Sequence, residues 1–102
     1  MPDNNSNDNF CAIFFKSLGV KSRMEIFKYL QDKKEATVGE IVEHIKLTQP
    51  TVSYHLGEMR HQNILKSRRE GKEVYYSIDR VCPHNQEECV FKTVNFKQTT
   101  RV

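Results

Sequence analysis

Residues 48–61 (TQPTVSYHLGEMRH) constrain this chain more than any other stretch of it. Val52, Leu56 and Met59 fall at i, i+4 and i+7, one apolar stripe at helical period. The opposite face carries Pro50, Ser53, Tyr54, Gly57 and His61, polar or small residues with no large aliphatic among them. Thr48 is placed to accept a backbone N–H as N-cap, and Pro50 sits in the first turn, where a missing donor costs nothing. The pattern predicts a short helix with one buried stripe and a polar face turned outward. Such a helix is either an ordinary solvated one or one that lies against a partner, and its neighbours decide between the two.

Upstream, Thr37-Val-Gly-Glu40 has the form of a capping box, and Val38, Ile41, Val42 and Ile45 follow on one helical face. Lys46 and Leu47 alone separate that helix from the Thr48 cap. Two short amphipathic helices joined by a tight turn form a helix-turn-helix, whose second helix enters the major groove of DNA. Downstream, residues 64–69 and 73–78 read as paired strands, with Glu70-Gly71 at the turn and Val74, Tyr76 and Ile78 on one face. Helix, turn, helix and basic hairpin is the order of a winged helix. Between Arg60 and Lys72 stand five cations against Glu70 alone, a local balance of +4 in a chain whose total is +3. Positive charge gathered on a hairpin beside such a helix suits a phosphate backbone.

At this level of detail the chain resembles a known family. Phe15-Lys-Ser-Leu-Gly19 followed by Ser22-Arg-Met-Glu-Ile26 resembles the opening of the ArsR/SmtB family of bacterial winged-helix repressors. Leu47-Thr-Gln-Pro-Thr-Val-Ser-Tyr-His-Leu56 is similar to that family's recognition helix, and Ser67-Arg-Arg-Glu-Gly-Lys-Glu-Val-Tyr-Tyr76 to its wing. The second helix opens at Val20-Lys21, where the family usually has a proline. The resemblance implies a mainly α fold with a small β-hairpin, a dimeric winged helix-turn-helix. The corresponding function is that of a sequence-specific DNA-binding transcriptional regulator, a repressor that binds double-stranded DNA as a homodimer. Gln49, Thr51, Ser53 and Tyr54 are then expected at the groove, with Arg68, Arg69 and Lys72 on the flanking backbone. Two recognition helices about 34 Å apart would want a near-palindromic operator. The alternative is a winged-helix module for protein–protein contact with no DNA role.

The domain plan follows from composition along the chain. Residues 1–9 are mostly Asn and Asp and read as a disordered tail, with neither the basic start nor the cleavage site of a signal peptide. Residues 10–80 hold the winged helix-turn-helix. Phe10, Ile13, Phe14, Phe15 and Leu18 make a broad apolar face on its first helix, packed on the core or turned in part to a second subunit. A second helix over about residues 20–31 buries Met24, Ile26, Phe27 and Leu30. Residues 81–102 form an extension that reads equally as helix, strand or coil, a dimerisation or sensing element. The longest apolar run, residues 11–15, is far below the roughly 20 residues of a membrane span, so no membrane partner and a cytoplasmic location are expected.

No enzyme signature is present: the four glycines are isolated, and neither His-Glu-x-x-His, Gly-x-Ser-x-Gly nor Cys-x-x-Cys occurs. His44 and His61 fall on polar helix faces, and His55 falls on the inner face as a packed histidine. The family's metal sites do not transfer, because residues 37–46 lack cysteine and Cys82-x-His84 does not reproduce the last-helix pattern. Cys11, Cys82 and Cys89, with His84, nevertheless offer donors for a soft ion such as zinc or arsenite, or a redox pair. The other reading makes Cys11 a core residue and leaves Cys82 and Cys89 without a role.

Overall fold

The computed structural model describes residues 6–81 and Lys92, the side chains of residues 6–9 excepted. The elements run α1 (Ser6–Leu18), α2 (Lys21–Lys33), β1 (Ala36–Thr37), α3 (Val38–Ile45), α4 (Gln49–His61), β2 (Leu65–Glu70) and β3 (Glu73–Ile78). The expectations for residues 1–5 and for Cys82, His84 and Cys89 fall outside the described residues.

Helix α1 begins at Ser6, so residues 6–9 of the expected tail are helical. The apolar stripe that follows gives the helix something to bury. That stripe divides. Phe10, Phe14 and Leu18 are buried, while Ile13 and Phe15 remain 45% and 49% exposed. Phe14 meets Phe27 of α2 edge-on, with ring centroids 5.7 Å apart. Ile26, Phe27 and Leu30 bury the inner side of α2, and Met24 packs against them only in part. Lys34 closes α2 at φ 77° and ψ −46°, its N–H donating to the Leu30 carbonyl.

The capping box forms as its sequence implies. The Glu40 N–H donates to Thr37 Oγ1 at 3.2 Å, and the Thr37 N–H donates to Glu40 Oε1 at 2.9 Å. Lys46 ends α3 in the left-handed conformation, φ 68° and ψ 37°, with its N–H on the Val42 carbonyl. Thr48 then caps α4 by accepting from the Thr51 N–H.

Strand β1 has no counterpart in the sequence reading. Its two residues are too few to show a period, and they pair with the far end of the domain: Ala36 with Tyr76 and Thr37 with Tyr75. Strand β3 is therefore central, in an antiparallel sheet of order β1-β3-β2. The hairpin also starts one residue later than its apolar pattern suggests. Ile64 is held at the exit of α4 instead, its N–H on the Met59 carbonyl and its own carbonyl accepting from Asp79. The loop is consequently Gly71-Lys72, with Gly71 at φ 64°, the conformation that a two-residue hairpin loop asks of its first member.

One core joins these pieces, built from Phe10, Phe14, Leu18, Ile26, Phe27, Leu30, Ala36, Ile41, Val52, Leu56, Met59, Ile64, Leu65 and Ile78. Lys92 docks at its edge, its ammonium donating to the Asn63 and Val81 carbonyls and lying 4.7 Å from the Phe10 ring centroid.

Lys34 and Lys46 occupy positive-φ conformations in which a side chain strains the backbone, and Lys34 lies further from the left-handed helical well. Lys34→Gly should stabilise the domain by about 1 kcal/mol and Lys46→Gly by about half as much. Thermal denaturation of the two variants beside the parent checks both the sign and the order.

Candidate nucleic-acid interface

The placement of α4 follows from its burial. Val52, Leu56 and Met59 are fully enclosed, so the turns between them present their other residues to solvent. Gln49, Pro50, Thr51, Ser53, Gly57 and His61 are exposed, and Tyr54 is 60% exposed. All four residues expected at a groove are exposed, Gln49 through its place in the first turn, since it stands at helical spacing with the buried Val52 and Leu56. Thr51 Oγ1 accepts from the Thr48 hydroxyl at 2.9 Å and keeps its own proton free to donate outward. A Cβ added at Gly57 would meet nothing within 4 Å, so the protein itself does not need glycine there. Glycine in a helix interior costs roughly 0.5–1 kcal/mol against alanine, and the bare backbone at this point suits close approach of an external body.

Behind this face lies a cluster that sequence reasoning missed. Arg23 of α2 donates from Nε to His55 Nδ1 at 3.0 Å and from Nη1 to Ser17 Oγ at 3.1 Å. Its guanidinium carbon lies 5.9 Å from the Tyr54 ring centroid. His55 is half-buried, in keeping with the packed histidine expected from its helical position. Burial first, and then the charge of Arg23, hold its imidazole below the ordinary value of 6.5. The ring is thus neutral at neutral pH, with Nδ1 an acceptor and the proton on Nε2. No local signal marks Arg23, because its partner lies 32 residues away.

The wing separates residues that the sequence sets side by side. Register pairs Arg68 with Tyr75 and Arg69 with Val74, so the two arginines project from opposite faces of the hairpin. Arg68 is engaged by the protein itself. It meets Glu35 through Nε–Oε2 at 3.0 Å and Nη2–Oε1 at 2.8 Å, and Glu70 through Nη1–Oε1 at 2.9 Å. It also lies 4.6 Å from the Tyr75 ring centroid. The hydrogen bond from Arg68 is the chief cause that holds the Glu35 carboxyl below its ordinary value, and the same pairing pushes the Arg68 pKa up. Arg69 and Lys72 are exposed and make no side-chain hydrogen bond or ion pair among the described residues. The surface charge is therefore not the plain sum of the sequence run, since Glu35 enters it from another part of the chain.

The remaining expected sites are quickly placed. Cys11 is half-buried on α1, and no group of three potential ligands able to hold a metal ion occurs among the described residues. His44 is exposed and stacks on Tyr29, with ring centroids 4.2 Å apart. No helix among the described residues is long and apolar enough to cross a membrane.

Comparison with known proteins agrees with this geometry. Residues 21–67 match the model of a family described as bacterial regulatory protein, arsR family. The chain is 36% identical over 69 residues to an HTH-type transcriptional regulator of Methanocaldococcus jannaschii, covering 67% of this chain and 78% of the relative. It is 40% identical over 68 residues to the transcriptional repressor PagR of Bacillus anthracis, covering 67% and 68% of the two chains. The crystal structure of PagR superposes with a TM-score of 0.64, at 38% identity over 69% of this chain and 79% of that one. HlyU of Vibrio cholerae superposes with a TM-score of 0.69, at 26% identity over 74% and 82%.

Glu35 neutralises Arg68 from outside the hairpin, so its removal should change how the wing meets a polyanion. Glu35→Gln should steepen the log–log salt dependence of binding to random duplex DNA by about one. Titrations at several salt concentrations measure that slope directly, and an unchanged slope would mean that Arg68 stays out of reach of phosphate even when released.

Proposed function

The chain belongs to the arsR family of bacterial regulatory proteins, and on that footing we propose that it is a repressor that binds a near-palindromic operator as a homodimer. Family membership makes it a DNA-binding transcriptional regulator with a winged-helix fold, not an enzyme. The observation that carries the finer reading is the pairing of two surfaces: a polar, open face on α4 and unengaged cations at the wing.

Gln49, Thr51, Ser53 and Tyr54 approach base edges in the major groove, where hydroxyl and amide groups find distinct donors and acceptors. Arg69 and Lys72 bind the flanking phosphates. Arg68 sets the wing against the segment before β1 and lends the phosphates only a shared charge. A repressor role is supported by the likeness to PagR, itself named a transcriptional repressor. The dimer uses α1, where Ile13 and Phe15 are 45% and 49% exposed beside the buried part of the stripe. A second copy would bring two α4 helices about one turn of DNA apart, roughly 34 Å. Cys11 lies on the same helix as that face, so a soft ion or an oxidant acting on Cys11, Cys82 or Cys89, with His84, would bear on the dimer and release the DNA. A DNA partner implies a cytoplasmic location.

Selection from a library of random duplexes, followed by size measurement of the free protein, tests this reading. The expected result is a two-fold symmetric site and a dimer. A chain that enriches no sequence, and whose weak DNA binding ignores salt, would instead be a module for protein contact.

Two substitutions at the interface refine the test. Arg69→Ala combined with Lys72→Ala should make the salt slope shallower by about two on selected and random duplexes alike. Gly57→Ala should stabilise the protein by roughly 0.5–1 kcal/mol while weakening its hold on the selected duplex, since a methyl group then stands where the backbone approaches DNA. Melting curves and titrations of one preparation report both signs.

A further inference from the structure

Arg23 joins three helices behind the face that meets DNA. Helix α1 contributes the buried Ser17 hydroxyl, α2 contributes Arg23 itself, and α4 contributes His55 and Tyr54. The rings of Tyr54 and His55 lie 5.7 Å apart, so the outermost member of the cluster is also a residue on the open side of α4. We propose that Arg23 and His55 are positioning residues for sequence readout: neutral His55 anchors Arg23 beneath Tyr54, and protonation of His55 releases that anchor and lowers discrimination between specific and random DNA. The proposal rests on the reading that the open face of α4 meets base edges.

The chemistry allows this arrangement in one protonation state only. A guanidinium is a donor without an acceptor, and Nδ1 can receive its hydrogen bond only while it carries a lone pair. An imidazolium at 3.0 Å from Arg23 Nε would set two donors and two positive charges against each other. The charged group acting on His55 is Arg23 from α2. From α1 comes the uncharged Ser17 hydroxyl, already held by the same arginine, and on α4 the neighbour is the Tyr54 ring. No carboxylate contributes to the shift of His55 among the described residues.

The sign distinguishes this device from plain electrostatics. Acid also adds a positive charge at His55, and an added charge strengthens attraction to any duplex regardless of sequence. Loss of the support beneath Tyr54 weakens only the complex that uses Tyr54. The ratio of specific to random affinity therefore falls on acidification, even where random affinity rises. Each unit by which the specific complex lowers the His55 pKa beneath that of the random complex removes up to about tenfold of the ratio.

The experiment uses the full chain, the duplex it selects from a random library, and a scrambled duplex of equal length. The affinity ratio is followed from about pH 7.5 to pH 5.5, the interval across which imidazoles charge. The parent should lose about tenfold in the ratio. His55→Asn presents an amide oxygen near the place of Nδ1 and cannot charge, so it should keep the neutral-pH ratio and flatten the profile. Arg23→Met should show the low ratio at every pH. Nitrogen NMR of the free protein should find His55 neutral at neutral pH, with Nδ1 unprotonated. A parent profile without slope, or a His55→Asn profile with the parent's slope, overturns the proposal. Should Arg23→Met fail to fold, the His55→Asn profile decides alone. Tyr54→Ala separates the two levels of argument. If it leaves the neutral-pH ratio unchanged, the reading of the α4 face fails; if it lowers the ratio while pH and His55→Asn have no effect, only the positioning role fails.

Discussion

The burial of Val52, Leu56 and Met59 is the constraint on which the rest of the molecule depends. Enclosing three such side chains is worth roughly 1.5–3 kcal/mol each, and α4 can satisfy all three in one rotation about its axis only. Turning the helix by one residue, about 100°, would bring Ser53 and Gly57 inward and lift the stripe into water. The rotation that suits the core is thus the same one that presents Tyr54 and its neighbours outward. Ile41 from α3, the Ile26–Phe27–Leu30 patch of α2 and Ile64 after the helix supply the walls of that enclosure. A face for recognition is, in this sense, what remains after the core has taken what it needs.

The elements legible in the sequence are those whose causes are local. Thr37 and Glu40 lie within one helical turn of each other, as do Thr48 and Thr51, and both caps form where their spacing implies. The stripe of α4 is likewise a matter of period. The apolar face on α1 leaves two outcomes open in the sequence, because one sequence cannot say how much of a wide stripe its own core will accept: the core takes Phe10, Phe14 and Leu18, and Ile13 and Phe15 stay about half exposed. The apolar pattern starts the hairpin one residue early, because apolarity at Ile64 does not reveal whether a strand or a helix exit consumes it. What was not legible at all is long-range. Strand β1 exists only through β3, and Arg23 finds His55 across 32 residues, as Arg68 finds Glu35 across 33.

The wing shows why a run of charge in a sequence overstates a patch of charge in space. Adjacent residues of a strand leave by opposite faces, so Arg68 and Arg69 never act as a pair. One is drawn back to the body of the domain by Glu35 and held along the hairpin by Glu70 and the Tyr75 ring, and the other remains available. A hairpin of this kind needs both roles. A flexible arm of free cations would bind DNA everywhere at the entropic expense of ordering itself, whereas an arm braced by Arg68 presents Arg69 from a defined position.

Thr37 does two things at once: its backbone pairs with Tyr75 in the sheet, and its side chain begins α3. Strand pairing and helix initiation are therefore not separable events. If β3 peels away, the residue that holds the first turn of α3 loses its footing, and the loss passes directly into the helix-turn-helix. The wing, although it looks like an appendage, consequently belongs to the same cooperative unit as the helices. The link also closes a long loop, and the entropy of that closure is recovered only once β3 has been made. A nascent chain leaving the ribosome can wind α1 and α2 early, but α3 gains its footing, and the DNA-binding unit its completion, only when β3 arrives.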